Sequence, residues 1–216
     1  MSKELNVYGS FSPGPWKTPA DIVAAAGGHK WAPATAELKA FAESGKGKAE
    51  GVGNAYSLLA AIIRAKPDRI NIFTHSNKRF IYFAGKVVPG NVEWDESQQY
   101  NALDVDYLAH QEEDGTTFSG GTTKDATFDD FRKALPSNAI LCLYACNVAL
   151  GRELCIGIAT YFNIKVKAFK SEIRFYPSVV KGSLAMKYAI GNHDQVTDFH
   201  DLDKYFEAPF VPKAKP

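Results

Sequence analysis

Length, composition and charge limit the classes of protein to which this sequence can belong. Its 216 residues suit a single domain, and a chain of this length with 45% hydrophobic residues can bury a core without disulfides or a metal. The 25 basic and 24 acidic residues leave a formal charge of +1, which argues against a dedicated nucleic-acid or anionic-membrane binder.

Apolar periodicity predicts one strand and three helices ahead of residue 66. They lie at residues 5–8, 19–26, 34–43 and 55–65. The stretch 45–53 is rich in glycine and lysine and predicts a loop. Asn54 is a favourable N-cap for the third helix, whose leucines and isoleucines form one apolar stripe.

From residue 69 onward the sequence pattern predicts both strands and helices. The strands are predicted at residues 69–74, 79–84, 86–88, 139–145 and 164–169, and the helices at residues 127–135, 148–162 and 179–190. The strands on either side of Gly85 are predicted to form a hairpin, and one last turn or two is predicted at 201–206. The run at 139–145 is almost wholly apolar, which is typical of a strand covered on both faces.

This order of elements predicts one α/β domain. Helices between successive strands indicate right-handed crossovers that build a central, mostly parallel sheet. We expect the domain to span 1–216, with a core at about 55–190, an insertion at 90–121 and a flexible tail at 207–216. Ligands of such sheets bind at the carboxyl ends of the strands, so the residues that end strands are the candidates for function.

Targeting signals and cysteine spacing bear on the location of the chain. The first residues are polar, no run approaches 18 apolar residues, and the three cysteines lack CxxC spacing. We therefore expect a soluble, cytoplasmic protein that neither spans nor binds a membrane, with export as an effector as the alternative. Cys142 and Cys155 fall within apolar stripes and are expected to be buried hydrophobic residues.

Two predicted strand ends carry the parts of a nucleophile and base pair. His75 follows the strand at 69–74, and Cys146 follows the strand at 139–145. A nearby imidazolium lowers the pKa of a thiol, and the amides of the helix predicted after Cys146 would favour a thiolate or bind an oxyanion. The pattern therefore favours a cysteine nucleophile assisted by a histidine.

The two strand ends also resemble a known superfamily. The sequence Ile-Asn-Ile-Phe-Thr-His ending at His75, followed by Ile-Leu-Cys-Leu-Tyr-Ala-Cys ending at Cys146, resembles the caspase-like cysteine peptidases, which include caspases, legumains and gingipains. The block at 143–151, Leu-Tyr-Ala-Cys-Asn-Val-Ala-Leu-Gly, is similar to that of bacterial caspase-like domains. The resemblance covers roughly residues 69–169.

The resemblance implies a fold, an activity and a set of residues. The fold would be a three-layer α/β/α sandwich, and the activity would be hydrolysis of an amide or peptide bond in a peptide or protein substrate. Cys146 would be the nucleophile, His75 the general acid or base, and the amides of Ser76 and Cys146 the oxyanion donors. This chemistry needs no cofactor or metal. Arg79 and Lys170, near strand ends, are candidates for binding an acidic substrate side chain.

Two other functions stay open at this point. Ser76 stands where the family has glycine, which fits a catalytically inactive caspase-like interaction module. A flavodoxin-like domain that binds a nucleotide or phosphate at the same sheet edge is the other alternative. The acidic run at 104–114 predicts a solvated face, with a pocket for a basic substrate side chain as the alternative. The oligomeric state is left open.

Overall fold

The computed structural model describes residues 3–28, 30–45, 47–93, 102–103 and 128–213. Most of the predicted insertion at 90–121, its acidic run at 104–114, Thr127 and the end of the tail therefore lie outside the described residues. Within the described ranges no helix is long and apolar enough to cross a membrane.

Strands make up much of the described chain. They are β1 (Glu4–Ser12), β2 (Ala49–Val52), β3 (Arg69–Phe73), β4 (His75–Ser76), β5 (Ile81–Tyr82), β6 (Ala84–Val88), β7 (Asn91–Glu93), β8 (Ala102–Leu103), β9 (Ile140–Tyr144), β10 (Lys165–Ala168), β11 (Ile173–Val180) and β12 (Ser183–Ile190). The main sheet has the order β10-β9-β3-β1-β6-β7, and β2 also pairs with β1. All of its pairs are parallel except β6 with β7. Two smaller sheets contain β4, β5 and β8, and β11 with β12.

Five α-helices and two 3-10 segments complete the described structure. The helices are α1 (Pro19–Gly27), α2 (Thr35–Glu43), α3 (Ala55–Ala65), α4 (Phe128–Ala134) and α5 (Arg152–Phe162), and the 3-10 segments are Val148–Leu150 and Phe199–Tyr205. The predicted N-cap of α3 is confirmed, because the Ser57 amide donates to the Asn54 side chain at 2.8 Å.

The two faces of the main sheet carry separate clusters of buried side chains. Successive residues of a strand point to opposite faces. On β3 and β9, Ile70, Ile72, Leu141 and Leu143 pack with the apolar stripes of α3 and α5. The intervening Cys142 and Tyr144 pack on the other face with α2, the β11–β12 hairpin and the 3-10 segment Phe199–Tyr205. A mixed α/β protein with a curled, mostly parallel sheet is therefore confirmed.

Two predictions between residues 45 and 93 are wrong. The predicted loop at 45–53 contains β2, which pairs in parallel with β1. The predicted hairpin about Gly85 does not form, because β5 pairs with β4 while β6 pairs with β1 and turns back to β7 at Gly90. Gly90 has a φ of 80°, which suits a tight turn. The apolar pattern indicated β5 and β6 but did not encode their partners.

Two predicted helices also differ from the observed elements. The predicted helix at 179–190 is instead part of the β11–β12 hairpin, whose turn places Lys181 and Gly182 at φ values of 50° and 80°. These angles match the two-residue turns that join the strands of β-hairpins. The pairing of β11 with β12 therefore outweighs the helix-favouring composition of residues 184–189. The predicted helix at 148–162 is interrupted at Gly151, so that only Arg152–Phe162 is α-helical.

Candidate active site

The structure brings the two predicted strand ends together at the carboxyl ends of two neighbouring strands of the main sheet. Strands β3 and β9 are parallel neighbours, and Phe73 is in register with Tyr144. The pairing continues one step further, where the Thr74 amide donates to the Tyr144 carbonyl oxygen at 3.3 Å. His75 and Cys146 follow these paired residues, and both line the same cleft.

This cleft has a volume of about 780 Å³ and lies between two parts of the chain outside the main sheet. One wall is formed by α1 and the segment after it, including Trp31 and Pro33. The other wall is formed by Glu172 and the first half of β11, including Phe175. A cleft of this volume is in the range of small-molecule and peptide side-chain sites.

The His75 imidazole is held by a backbone carbonyl group and by an aromatic ring. Its Nε2 lies 2.7 Å from the carbonyl oxygen of Pro33, and the ring packs edge-on against Phe11 with centroids 4.6 Å apart. A carbonyl oxygen only accepts, so Nε2 carries the proton and the neutral ring has its free lone pair on Nδ1. Burial lowers the pKa of His75 to about 4, so the imidazole is neutral at physiological pH.

The Cys146 thiol is half-buried and contacts the start of β11. The Ile173 amide donates to its sulfur at 3.4 Å, and the thiol lies 3.8 Å from the Ile173 carbonyl oxygen. Burial raises the pKa of Cys146 to about 11. The hydrogen bond from the Ile173 amide lowers this pKa by a smaller amount, and the Glu172 carboxylate raises it. The structure therefore presents a neutral thiol and a neutral imidazole in the same cleft.

Hydrogen bonds from side chains that follow β3 also hold the backbone near the two candidate residues in place. The Ser76 hydroxyl donates to the Cys146 carbonyl oxygen at 2.6 Å. Thr74 is buried, and its hydroxyl donates to the Tyr82 carbonyl oxygen. Asn147 has a φ of 58°, a left-handed conformation that asparagine adopts more readily than most residues. It lets the chain turn sharply away from the sheet just after Cys146.

Tyr144 lines the cleft, and side chains of the core hold its ring and its hydroxyl in place. Its ring stacks on Phe73 with centroids 4.6 Å apart. Its hydroxyl accepts from the Arg69 guanidinium at 2.7 Å and donates to Asp203. Burial raises the pKa of Tyr144 well above its usual range, which keeps the phenol neutral.

Three other predicted site residues lie outside the lining of the cleft. Lys170 forms an ion pair with Glu207 at 2.8 Å and lines a separate groove. The Arg79 guanidinium lies over the Phe80 ring, 5.1 Å from its centroid. Ser76 contacts Cys146 through its hydroxyl, as described above. In the described part of the chain, no group of three His, Cys, Asp or Glu residues is arranged to hold a metal ion.

Several cleft residues were not predicted from the sequence. Pro33, Trp31 and Phe175 are far from His75 and Cys146 in the chain, and no spacing rule connects them. Tyr144 is different, because it lies within the block at 143–151 and is the last residue of β9. Its position in the sequence could have identified Tyr144 as a site residue. The other three residues reach the cleft through tertiary contacts alone.

We expect Cys146 to be alkylated by iodoacetamide faster than Cys142 and Cys155 in the folded protein. Cys146 lines an open cleft, whereas the other two are fully buried and burial raises the pKa of each to about 12. Mass spectrometry of tryptic peptides over a time course measures the three rates, and the urea-unfolded chain is the control in which all three should react similarly. Equal rates for Cys146 and Cys142 in the folded protein would contradict the assignment.

No family model matches the sequence, and no curated protein or solved structure is significantly similar to the chain.

Proposed function

We propose that the chain is a cysteine hydrolase of the caspase-like type that cleaves amide or peptide bonds. The observation that supports this most is the single cleft lined by both His75 and Cys146, each just after one of two neighbouring parallel strands. A thiol and an imidazole at one cleft are the groups required for acyl transfer through a covalent intermediate. The block at 143–151, which resembles bacterial caspase-like domains, includes Cys146.

The proposed reaction starts from the neutral thiol and the neutral imidazole. His75 accepts the thiol proton at Nδ1, the nitrogen that Pro33 leaves free, as the Cys146 sulfur attacks the carbonyl carbon. The proton then passes to the leaving amine as the C–N bond breaks, which leaves a thioester on Cys146. His75 next takes a proton from water, the water oxygen attacks the thioester, and the thiol is regenerated. The Cys146 amide is the proposed oxyanion donor, and Ser76, which lies outside the cleft lining, holds the Cys146 carbonyl group through its hydroxyl.

The pKa values of the pair determine which form of this mechanism is proposed. A thiol with a pKa of about 11 beside an imidazole with a pKa of about 4 does not form an ion pair before substrate binds. Proton transfer is therefore concerted with attack, and the thiol must leave its contact with Ile173 to reach a substrate carbonyl.

Replacing Cys146 with alanine tests the proposal. Hydrolysis of a fluorogenic peptide library by the purified wild type is expected to fall at least about 1,000-fold in the Cys146→Ala variant, because the covalent route is lost. The His75→Ala variant should lose a comparable amount. Cys155→Ala is the matched control and should retain wild-type activity, since that thiol lies on the buried face of α5, away from the cleft. Full hydrolysis by Cys146→Ala would overturn the assignment.

One observation favours a second candidate, a catalytically inactive interaction module. In the described structure the His75 ring and the Cys146 thiol each contact a backbone group, Pro33 and Ile173, rather than one another. For an inactive module, the alkylation rate of Cys146 at pH 7 should be unaffected by His75→Ala. For a hydrolase, His75→Ala should slow alkylation at pH 7.

A further inference from the structure

Helix α1 is almost wholly apolar, yet none of its side chains is fully buried. Asp21 is its only charged residue, and the other eight are proline, alanine, isoleucine, valine and glycine. An apolar helix of a folded domain normally has a stripe covered by other side chains. Here Val23 and Ala26 line the cleft, so apolar surface of α1 faces the space next to Cys146.

The opposite wall of the cleft is aromatic and firmly supported. The Phe175 ring contacts the Trp31 ring edge-on, with centroids 6.0 Å apart, so the two walls of the cleft meet at these rings. From behind, Phe175 contacts the core rings of Phe41 at 5.3 Å and Tyr188 at 5.7 Å. Because Phe41 and Tyr188 are themselves buried, the Phe175 ring has a fixed position in the wall.

The charged groups of the cleft lie at its rim. Glu172 and Arg174 are both exposed, and the Arg174 guanidinium donates to the Asn192 side chain at 2.9 Å. Between them and α1, the described lining is mostly apolar, and its largest rings are those of Trp31, Tyr144, Phe175 and Tyr176. An apolar group of a ligand would bind favourably here, because its binding removes the apolar surface of the cleft and its own surface from water.

We propose that the apolar surface where the two walls meet, formed by Val23, Ala26, Trp31 and Phe175, selects substrates by a bulky apolar side chain close to the scissile bond. The side chain is of the size of leucine, methionine or phenylalanine, and Trp31 determines the preference. The volume of about 780 Å³ accommodates such a side chain together with flanking peptide backbone. This inference rests on the proposed function, because Cys146 lies in the same cleft.

Peptides that differ in one residue test the preference. We expect the wild type to cleave peptides with leucine, methionine or phenylalanine next to the scissile bond faster than those with alanine, lysine or aspartate. Trp31→Ala should lower kcat/KM for the apolar peptides about tenfold to 100-fold and leave that for the alanine peptide nearly unchanged. Trp31→Phe should restore most of the loss. Phe210→Ala is the control, since this ring lines a separate groove and lies outside the lining of the cleft.

A binding measurement separates failure of this inference from failure of the proposed function. Fluorescence anisotropy of a labelled phenylalanine peptide with the Cys146→Ala variant should show binding that weakens about tenfold when Trp31→Ala is added. That result without any hydrolysis by the wild type would overturn the hydrolase and leave the apolar site standing. Cys146-dependent hydrolysis that prefers lysine, or that Trp31→Ala does not change, would overturn the apolar preference alone.

Discussion

Replacing Gly151 with alanine is expected to destabilise the fold by about 3 kcal/mol or more. A Cβ atom at this position would lie 1.7 Å from the Lys78 carbonyl oxygen and 2.6 Å from its carbonyl carbon. Both are backbone atoms, so no side-chain rotation relieves the overlap. The φ of Gly151 is −85°, which alanine adopts freely, so the whole cost comes from this close approach. Urea unfolding at pH 7 measures the change in the free energy of unfolding.

The same substitution connects folding to the candidate active site. Lys78 lies in the turn between β4 and β5, two residues after Ser76, whose hydroxyl holds the Cys146 carbonyl. Gly53→Ala is the matched control, because no heavy atom lies within 4 Å of a Cβ built there, and its free energy of unfolding should stay within about 0.5 kcal/mol of wild type. A loss below 1 kcal/mol for Gly151→Ala, similar to that of the control, would contradict the packing of these two backbone segments.

Acidification from pH 7 to pH 4 is expected to destabilise the wild type by about 3 kcal/mol more than the His75→Gln variant. Burial lowers the pKa of His75 from 6.5 to about 4 in the folded state. Between these values the unfolded chain binds a proton that the folded chain does not, so unfolding becomes more favourable as the pH falls. Each pH unit in this interval contributes about 1.4 kcal/mol. Below about pH 4 both states are protonated and the difference stops growing.

Glutamine is a suitable replacement because its side-chain amide can still donate to the Pro33 carbonyl oxygen, as Nε2 of His75 does, but does not titrate. Loss of the ring contact with Phe11 lowers the stability of the variant by the same amount at every pH, so the comparison uses the slopes of the two curves. Urea unfolding of both proteins at half-unit steps provides these slopes. Parallel curves between pH 6.5 and pH 4 would show that His75 is not buried as described.

Local sequence determined many of the elements. The apolar runs that became β3 and β9 are short, continuous and bounded by polar residues, and α3 carries its own N-cap at Asn54. These signals depend on neighbours within a few residues, so they can be read without knowledge of the fold. The placement of His75 and Cys146 beyond the two runs follows from the same local information.

Tertiary structure decided which strands pair and what surrounds the two candidate residues. Strand β1 lies next to β3 although more than 50 residues separate them, and the strand β6 joined β1 instead of forming a hairpin with β5. The Pro33 carbonyl on His75 and the Ile173 amide on Cys146 come from distant segments in the same way.

Burial, and with it the pKa values of both groups, is a property of the packed chain alone. A sequence specifies side chains and their local geometry, whereas desolvation and long-range pairing exist only when remote segments share one core. Thus the order of residues is enough to indicate that a thiol and an imidazole follow two apolar strands. Only the folded chain decided that they meet at one cleft, that both are neutral there and that an apolar wall faces them.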